Sequence, residues 1–354
     1  MPVRQRAGAG LVPPAVADTA VADAVVAWYD VTARDLPWRR PGAEPWAVLV
    51  SEVMLQQTPV ARVLPAYDAW LARWPSPAAL AADPPGEAVR MWGRLGYPRR
   101  ALRLHDAATV ITERHNGQVP SDVETLLTLP GVGAYTARAV SAFAFRERHP
   151  VVDVNVRRFV ARAVEGRAEG GPTVGPRDLA TVADLLPADP GEAARASVAF
   201  MELGALVCVA RSPRCSACPV HSTCAWRLAG SPPPSGPARR AQSYAGTDRQ
   251  VRGRLLAVLR DARGPVAADD LRAAWDGSAQ RARALGSLIE DGLVVPLAGG
   301  VFALPGEHAD GLDGSSLART GVDPSSVDST GFGTEAGSVA VGTVETVGRA
   351  DASG

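Results

Sequence analysis

The cysteines constrain the fold of this chain more than any other feature. All four, Cys208, Cys215, Cys218 and Cys224, follow the pattern C-x6-C-x2-C-x5-C, and no other cysteine occurs in the 354 residues. Thiols so crowded are neither core filler nor partners for independent disulfides in a chain of this size. Four thiolates can hold either one zinc ion or a 4Fe–4S cluster.

The spacing of these cysteines favours the cluster. Structural zinc sites prefer two CxxC-like pairs, and only Cys215 and Cys218 form one here. The wide x6 and x5 arms predict a loop around an object larger than one ion. We therefore predict a 4Fe–4S cofactor held by the four cysteines, with zinc, and free thiols or disulfides, as the alternatives. With four thiols available, His221 is expected at the surface of the loop.

Composition indicates a protein of a reducing compartment. A chain of this length can form two or three domains, and confining all cysteines to one cluster is typical of intracellular proteins. No run reaches the roughly 18 apolar residues of a membrane span. The N-terminal region is interrupted by Pro13, Pro14, Asp18 and Asp23, so we predict neither a signal peptide nor membrane association, and expect a cytoplasmic location.

Charge is unevenly distributed along the chain. The net charge is zero, but residues 307–354 carry −6 and residues 1–306 therefore carry +6. This mild basic excess is compatible with phosphate binding. The chain contains no lysine, so every basic side chain other than histidine is arginine. Chemistry that needs a lysine side chain is thereby excluded.

Apolar periodicity predicts mainly helices. From Val21 to Ala229 apolar residues recur at helical spacing with almost no strand-like alternation, which predicts an all-α domain. A second unit has three helix-like segments (Gln250–Arg260, Ala267–Trp275, Ala279–Asp291) and two strand-like runs (Leu293–Pro296, Val301–Leu304), the order of a winged helix. The predicted organisation is a flexible leader at 1–20, the helical domain at 21–229, a proline-rich linker at 230–248, the winged-helix-like unit at 249–306 and a disordered acidic tail at 307–354.

A helix-hairpin-helix motif is predicted between residues 121 and 145. Ser121-Asp-Val-Glu124 has the spacing of a capping box and opens a short helix. Leu129-Pro-Gly-Val-Gly133 follows, and then another helical run. Gly131 and Gly133 would let the backbone approach a DNA phosphate, with the amides of the second helix pointing at it. An ordinary tight turn is the alternative reading.

Two carboxyl groups have the environments needed for glycosidic cleavage. Glu52 is the lone acid of the apolar helical segment around Val48 and Leu55, so we expect it to be partly buried, with a raised pKa. Asp153 lies where an extended run turns into a helix, so we expect an N-cap whose pKa is lowered by the helix N-terminus. One protonated acid and one carboxylate suit a reaction that passes through an oxocarbenium-like state.

These motifs together resemble one family. LPW, SEVMLQQT, LGY, LPGVG, VD-x-N and the cysteine loop occur in the order found in helix-hairpin-helix DNA glycosylases, and more narrowly in MutY-type adenine DNA glycosylases. The resemblance covers roughly Ala24 to Trp226. It implies a two-lobed, endonuclease III-like all-α domain with an iron–sulfur loop. It also implies a monomer at the nucleoid that excises adenine paired with 8-oxoguanine or guanine in double-stranded DNA.

The resemblance implies a role for each matching residue. Glu52 would protonate adenine and then help to activate water, and Asp153 would stabilise the sugar cation or its covalent adduct. Asn155 and Tyr135 would assist them. The other matching residues are Trp38, Arg39 and Glu202 in the flipped-base pocket, Gln57 and Tyr97 wedged into the duplex near the oxidised guanine, Gln56 among the substrate- or DNA-binding residues, and Leu129, Gly131 and Gly133 in the hairpin.

Two departures from the family pattern bear on specificity. Pro98 stands where relatives usually have a second tyrosine after Tyr97, so contacts with the lesion strand are expected to be remodelled. Bacterial relatives usually carry a Nudix-like domain at the C-terminus that helps to verify 8-oxoguanine. Residues 249–306 take its place here, so the sequence leaves the preference for 8-oxoguanine over guanine open.

Three other functions share part of this pattern. An endonuclease III-type lyase uses a lysine where this chain has Tyr135, and a chain without lysine cannot form that Schiff base. A tyrosine at position 135 would also be compatible with a thymine-mismatch glycosylase, although Gln56-Gln57-Thr58 favours adenine as the excised base. A non-catalytic iron–sulfur DNA-binding regulator would not need Glu52 and Asp153 in their motifs. We therefore predict a monofunctional adenine DNA glycosylase.

Overall fold

The computed structural model describes residues 14–171, 173–234 and 244–307, with side chains from Ala20 onward. Residues 1–13 of the expected leader, 235–243 of the expected linker and 308–354 of the expected tail lie outside the described residues. The first helix already begins at Pro14, inside the segment expected to be a loose leader. Within the described ranges, no helix is both long and apolar enough to cross a membrane.

The prediction of an all-α domain is confirmed for the described residues up to Leu228. Many of its helices start with a proline in the first turn, where the missing N–H costs nothing. The helices are α1 (Pro14–Thr32), α2 (Pro45–Leu55), α3 (Val60–Arg73), α4 (Pro77–Ala82), α5 (Pro85–Trp92), α6 (Arg99–Arg114), α7 (Val123–Thr128), α8 (Ala134–Phe145), α9 (Val154–Ala163), α10 (Pro176–Leu185), α11 (Pro190–Leu206) and α12 (Ala225–Leu228), with 3₁₀ turns at Pro37–Arg39 and Cys215–Ala217.

The helices form two lobes with separate hydrophobic cores. The core of the first lobe runs from α2 to α8 and includes Trp70, which makes edge-on contacts with Trp74 and Trp92. The core of the second lobe comes from α1 and α9–α11, where Phe159 and Phe200 have ring centroids 5.6 Å apart. Because α1 packs on α10 and α11, the chain begins in the second lobe, crosses to the first and returns.

The predicted helix-hairpin-helix is present as α7, a short hairpin and α8. Its first cap differs from the prediction: Oδ1 of Asp122, rather than Ser121, accepts the amide of Thr125 at 2.8 Å, because the helix starts one residue later. Gly131 has φ +77°, and a Cβ there would lie 2.6 Å from the Cβ of Arg103. Glycine is therefore required both by the turn and by the close approach of α6.

The winged-helix prediction for the C-terminal unit (residues 244–307) is confirmed, with one additional strand. Its elements are α13 (Asp248–Asp261), β1 (Val266–Ala267), α14 (Ala268–Ala273), α15 (Ser278–Glu290), β2 (Val295–Leu297) and β3 (Val301–Ala303). The antiparallel sheet has the order β1-β3-β2, with Phe302 paired to Val266 on one side and Pro296 on the other. Strand β1 has two residues, too few for an alternating pattern to reveal.

The C-terminal unit shares the core of the first lobe. Leu255 and Leu259 of α13 belong to the same buried cluster as Trp92 and Leu95. Backbone groups join the two parts directly, since the amide of Gly86 donates to the carbonyl of Pro305 at 2.7 Å. The unit therefore packs against α5 and α6 and belongs to the same compact body as the glycosylase-like helices.

Candidate active site

The carboxyl group of Glu52 lies in the apolar environment that the sequence predicts. Glu52 is in the last turns of α2 and is only 6% exposed. Burial raises its pKa from 4.5 to about 7, while a hydrogen bond with Tyr135 and the positive charge of Arg39 lower it and the negative charge of Asp153 raises it. At neutral pH the protonated and ionised forms of this carboxyl group are therefore both populated. A group that first donates and later accepts a proton needs a pKa in this range.

Tyr135 supplies the hydrogen-bond partner of Glu52. It lies in the first turn of α8, directly after the hairpin, and is half-buried. Burial and the negative charges of Glu52 and Asp153 raise the pKa of its phenol well above 10. The phenol therefore stays neutral at physiological pH and can donate its proton to a neighbouring carboxylate.

Asp153 is the N-cap of α9, as predicted. Its Oδ1 accepts the amides of Asn155 at 2.8 Å and Val156 at 2.7 Å, and its Oδ2 accepts Nδ2 of Asn155 at 2.7 Å. The predicted lowering of its pKa is wrong, because burial raises the pKa more than these hydrogen bonds and the charge of Arg158 lower it. The helix terminus limits the rise without reversing it.

Arg158 holds Asn155 in place, a role that the sequence analysis missed. Its Nη2 donates to Oδ1 of Asn155 at 2.9 Å and to the carbonyl of Gly204 at 2.6 Å, and its Nε donates to the carbonyl of Cys208 at 2.6 Å. A Cβ on Gly204 would lie 2.6 Å from the carbonyl oxygen of Asn155, so only glycine allows this approach of α11. The spacing of Arg158, three residues after Asn155, is the signal that could have found it.

The side chain of Glu202 is wholly buried on α11 between two arginines. It accepts Nε and Nη2 of Arg34 at 2.7 and 2.6 Å, and Nη1 of Arg39 at 2.9 Å. These arginines lower the pKa of Glu202 to about 2 although burial opposes the change. Arg39 thus joins Glu202 electrostatically to Glu52. Arg34 was not predicted; its place in the polar run before the LPW motif is the only sequence signal.

Trp38 lies between this cluster and the core. It is 6% exposed, and its ring meets Tyr67 edge-on with centroids 5.0 Å apart. It therefore packs as a core aromatic, next to Arg39 in the same 3₁₀ turn.

Gln57 and Tyr97 are exposed on the surface next to the C-terminal end of α2. Both are exposed, and both have left-handed backbone conformations that non-glycine residues rarely adopt, with φ +54° and +48°. Such strain is concentrated at functional sites. Gln56 points inward instead, with Nε2 donating to Oγ1 of Thr136 at 3.3 Å. The structure thus separates the two glutamines that the sequence analysis grouped together.

Arg100 fixes the end of α2 relative to Tyr97, and the sequence did not reveal it. Its Nη1 donates to the carbonyls of Val53 at 2.7 Å and Gln56 at 2.7 Å, and its guanidinium carbon lies 5.6 Å from the ring centroid of Tyr97. Burial lowers its pKa to about 10, so it remains charged at neutral pH.

One cleft connects the end of α2 to the hairpin. Leu129 is buried beneath the hairpin and anchors it. Gly131 faces the cleft together with arginines of α6. Gly133 is the N-cap of α8. Residues that line the cleft include Gln56, Arg99, Arg100, Arg103, Pro130, Gly131 and Val132.

The four cysteines face one pocket. Cys208, Cys215, Cys218 and Cys224 all line it, together with apolar side chains such as Phe159 and Val220. Burial raises the pKa of Cys208, and raises that of Cys218 to about 11. In the described part of the chain, no three His, Cys, Asp or Glu side chains are close enough to hold a single metal ion. His221 is exposed, as predicted.

A positive charge lies beside the cysteine pocket. Nη1 of Arg162 lies 3.6 Å from Sγ of Cys208, so a positive charge is available to balance thiolates. The carbonyl of Cys208 is held by Arg158, which in turn holds Asn155. The cysteine loop and the N-terminus of α9 are therefore tied together by one arginine.

Comparison with known proteins agrees with this architecture. Residues 50–169 match the family described as HhH-GPD superfamily base excision DNA repair protein. The two lobes, the hairpin and the buried acid place the chain in that class. Among solved structures, a thermostable thymine-DNA glycosylase matches with a TM-score of 0.53 and 26% identity, over 60% of this chain and 97% of that one.

Full-length relatives narrow the family. The adenine DNA glycosylase of Mycobacterium tuberculosis (strain ATCC 25618 / H37Rv) is 60% identical over 284 residues, which cover 80% of this chain and 93% of that protein. The adenine DNA glycosylase of Mycolicibacterium smegmatis is 58% identical over 288 residues, covering 81% and 97%. The chain belongs to the adenine DNA glycosylase family. Alignments of this length cannot fit within residues 1–229, so they extend into the C-terminal unit.

Proposed function

We propose that the protein hydrolyses the N-glycosidic bond of an adenine flipped out of duplex DNA, with 8-oxoguanine or guanine as the opposite base. The observation that carries the proposal is the buried carboxyl group of Glu52, which has a pKa of about 7. This group is hydrogen-bonded to Tyr135 and lies within electrostatic reach of Asp153. A base buried in the stack cannot reach such a group, so the nucleotide must leave the helix first.

The two carboxyl groups have distinct tasks in this proposal. Protonated Glu52 donates its proton to the adenine, which weakens the glycosidic bond, and the resulting carboxylate then accepts a proton from the attacking water. Asp153, fixed by Asn155 and the start of α9, offers its carboxylate to the positive charge that develops on the sugar. Tyr135 holds the Glu52 carboxyl in place through its neutral phenol.

The Arg34–Glu202–Arg39 cluster supports the flipped-base pocket. A carboxylate with two arginines has fixed positions for its oxygens, and Arg39 remains within electrostatic reach of Glu52. We propose that this cluster orders Trp38 and Arg39 at the edge of the adenine pocket. With two arginines and one carboxylate the cluster keeps one positive charge in excess, and the charge of Arg39 lowers the pKa of Glu52.

Excision assays test the proposed substrate. Duplexes containing A:8-oxoG, A:G, T:G or thymine glycol are incubated with excess enzyme, and the released base is identified. We expect adenine from the first two duplexes only. Release of thymine from T:G, with adenine retained, would instead support the thymine-mismatch function.

The role of Glu52 has its own variant test. Glu52→Gln should lower single-turnover excision by about 10²–10⁴-fold or more, the usual worth of a general acid, while duplex binding stays within a few fold. Glu124→Gln, an exposed acid in α7, is the matched control. Near-wild-type excision by Glu52→Gln would remove this carboxyl from the mechanism.

We further propose that the enzyme does not cleave the DNA strand. The chain has no lysine, and Tyr135 occupies the position where lyases of the superfamily carry theirs. Borohydride should trap little covalent enzyme–DNA adduct, and nicks should appear only after hot alkali. Efficient trapping at neutral pH would reveal another amine nucleophile and refute monofunctional action.

The four cysteines are proposed to hold a 4Fe–4S cluster. When bound, such a cluster would crosslink the loop between α11 and α12 and keep it against α9. The purified protein should be brown with about four irons per chain, and Cys215→Ser should lose iron and duplex affinity together. Ser216→Ala, in the same turn, is the control. Stoichiometric zinc without iron after anaerobic preparation would favour the zinc alternative.

A further inference from the structure

The C-terminal unit places one arginine beside the exposed ring of Tyr97. The guanidinium carbon of Arg249, near the start of α13, lies 5.3 Å from the ring centroid of Tyr97 and 5.9 Å from that of Tyr244. The two tyrosines are 46% and 54% exposed. An arginine that stacks on aromatic rings keeps its N–H edges available for another partner.

Arg249 has no carboxylate partner among the described residues. Asp291, just after α15, is already shared by two other arginines: it accepts Nη2 of Arg252 at 2.5 Å and forms an ion pair with Nη1 of Arg99 at 3.1 Å. A positive charge in the first turn of a helix is also unfavourable to the helix dipole. Neither an ion pair nor helix stability therefore explains an arginine at position 249.

The position of Arg249 extends the surface that begins at the hairpin. Gly131 of the hairpin contacts Arg103, and both residues line the cleft that also contains Arg99. Arg99 is joined to the C-terminal unit through Asp291. Arginines of α6 therefore line the cleft from the hairpin toward Tyr97, just before α6, and Arg249 contacts the ring of Tyr97.

We propose that Arg249 binds a backbone phosphate of the duplex beside Tyr97, which makes the C-terminal unit part of the DNA-binding surface. The proposal rests on the proposed function for the identity of the substrate. Its ligand is a phosphodiester, since a stacked guanidinium with free N–H edges forms strong charge-assisted hydrogen bonds with phosphate oxygens. Helix α13 packs against α5, and Asp291 pairs with Arg99 of α6, so these contacts hold the C-terminal unit beside the first lobe.

The test measures duplex affinity against salt concentration for the full chain. Arg249→Ala is compared with Arg263→Ala, an exposed arginine just after the opposite end of α13, roughly 20 Å away. The probes are a fully paired duplex, which cannot be excised, and the same duplex with A:8-oxoG in the Glu52→Gln background. We expect Arg249→Ala to weaken both roughly tenfold, and to reduce the slope of log affinity against log salt by about 0.9.

Two outcomes would overturn the proposal. Arg249→Ala could match Arg263→Ala in affinity and slope, or it could lose affinity with an unchanged slope, which would reflect lost stacking on Tyr97 rather than a phosphate contact. Arg249→Gln, which keeps the stem and removes the charge, gives the same readout if the alanine variant misfolds. An Arg249 effect on the paired duplex, together with no release of adenine by the wild-type enzyme, would refute the proposed function alone.

Discussion

The carboxyl group of Glu52 ionises near neutral pH because the folded protein buries it before any DNA is bound. Desolvation is the largest influence on its pKa, and the opposing influence of Tyr135 and Arg39 is smaller. A carboxyl with this raised pKa carries a cost for the folded state, since at neutral pH and above the group must either keep a proton or remain charged in an apolar site.

Replacing Glu52 should therefore stabilise the protein at high pH. Between its ordinary pKa of 4.5 and the folded value of about 7, the folded state binds a proton that the unfolded state has lost. Stability thus falls as pH rises through this window, by up to about 3 kcal/mol above it. Urea unfolding of Glu52→Gln should show a gain over the wild type that grows from about pH 5 to about pH 8 and approaches this size.

Glu124→Gln is the control for this measurement, because Glu124 is exposed. Its stability relative to the wild type should not change with pH in this window. A pH-independent effect of Glu52→Gln would contradict the raised pKa, whatever the variant does to excision.

At the residue scale, the sequence allowed the direction of the pKa shift to be predicted for Glu52 but not for Asp153. The pattern around Glu52 indicates burial, and burial alone determines the direction of its pKa. For Asp153, helix capping and burial act in opposite directions, and their balance depends on how deeply α11 covers the start of α9. That depth is set by Gly204, whose missing Cβ permits contact with Asn155. Only the three-dimensional structure shows this contact.

Helix α9 combines a structural and a chemical task at its N-terminus. The side chain of Asp153 accepts two backbone amides of the first turn, as an N-cap does, and also an amide proton of Asn155. An asparagine caps a helix about as well as an aspartate, whereas alanine does not. The two tasks can therefore be separated by substitution.

Asp153→Asn and Asp153→Ala should both be inactive, but only the second should be unstable. Asparagine keeps the cap and removes the negative charge that faces the sugar cation. Alanine also loses the cap, at a cost of about 1 kcal/mol. Single-turnover excision and urea unfolding of both variants make the distinction. Excision by Asp153→Asn near the wild-type rate would show that the cap, and not the charge, is what the site needs from residue 153.

At the scale of elements, the motifs located most helices, while short or special elements escaped. The LPGVG sequence places the hairpin correctly, since glycine with positive φ is required there. The N-cap of α7 is Asp122 and not the predicted Ser121. Both residue types can cap a helix, and only the register of the helix selects between them. Strand β1 is visible only through its pairing with β3.

The whole molecule differs from a glycosylase domain with a separate appendage. The C-terminal unit completes the core of the first lobe, covering α5 with Leu255 and Leu259. Arg90 of α5 donates to the carbonyl of Leu259 at 3.2 Å, and Nε of Arg260 donates to the carbonyl of Val89 at 3.1 Å. The composition of the linker predicted at 230–248 could not show this packing, because it describes the connection and not the surfaces that it joins.

The docking of the C-terminal unit on α5 depends on Gly86. The amide of Gly86 donates to the carbonyl of Pro305, and a Cβ at position 86 would lie 2.7 Å from that oxygen and 2.8 Å from the Cβ of Leu304. Neither neighbour is the far end of a flexible side chain, so Gly86→Ala must push α5 and the C-terminal unit apart. Overpacking of this kind typically costs about 1–3 kcal/mol.

We expect Gly86→Ala to lower the unfolding midpoint and to increase hydrogen–deuterium exchange in residues 244–307 more than in α9 to α11. Gly286→Ala is the matched control, because Gly286 is an interior residue of α15 with nothing within 4 Å of its added Cβ. That change should be neutral or stabilising by up to about 1 kcal/mol, since alanine favours helix. If hydrogen–deuterium exchange of the Gly86→Ala variant equals that of the wild type at all residues, the contact at Pro305 does not hold the C-terminal unit in place. The shared core alone would then do so.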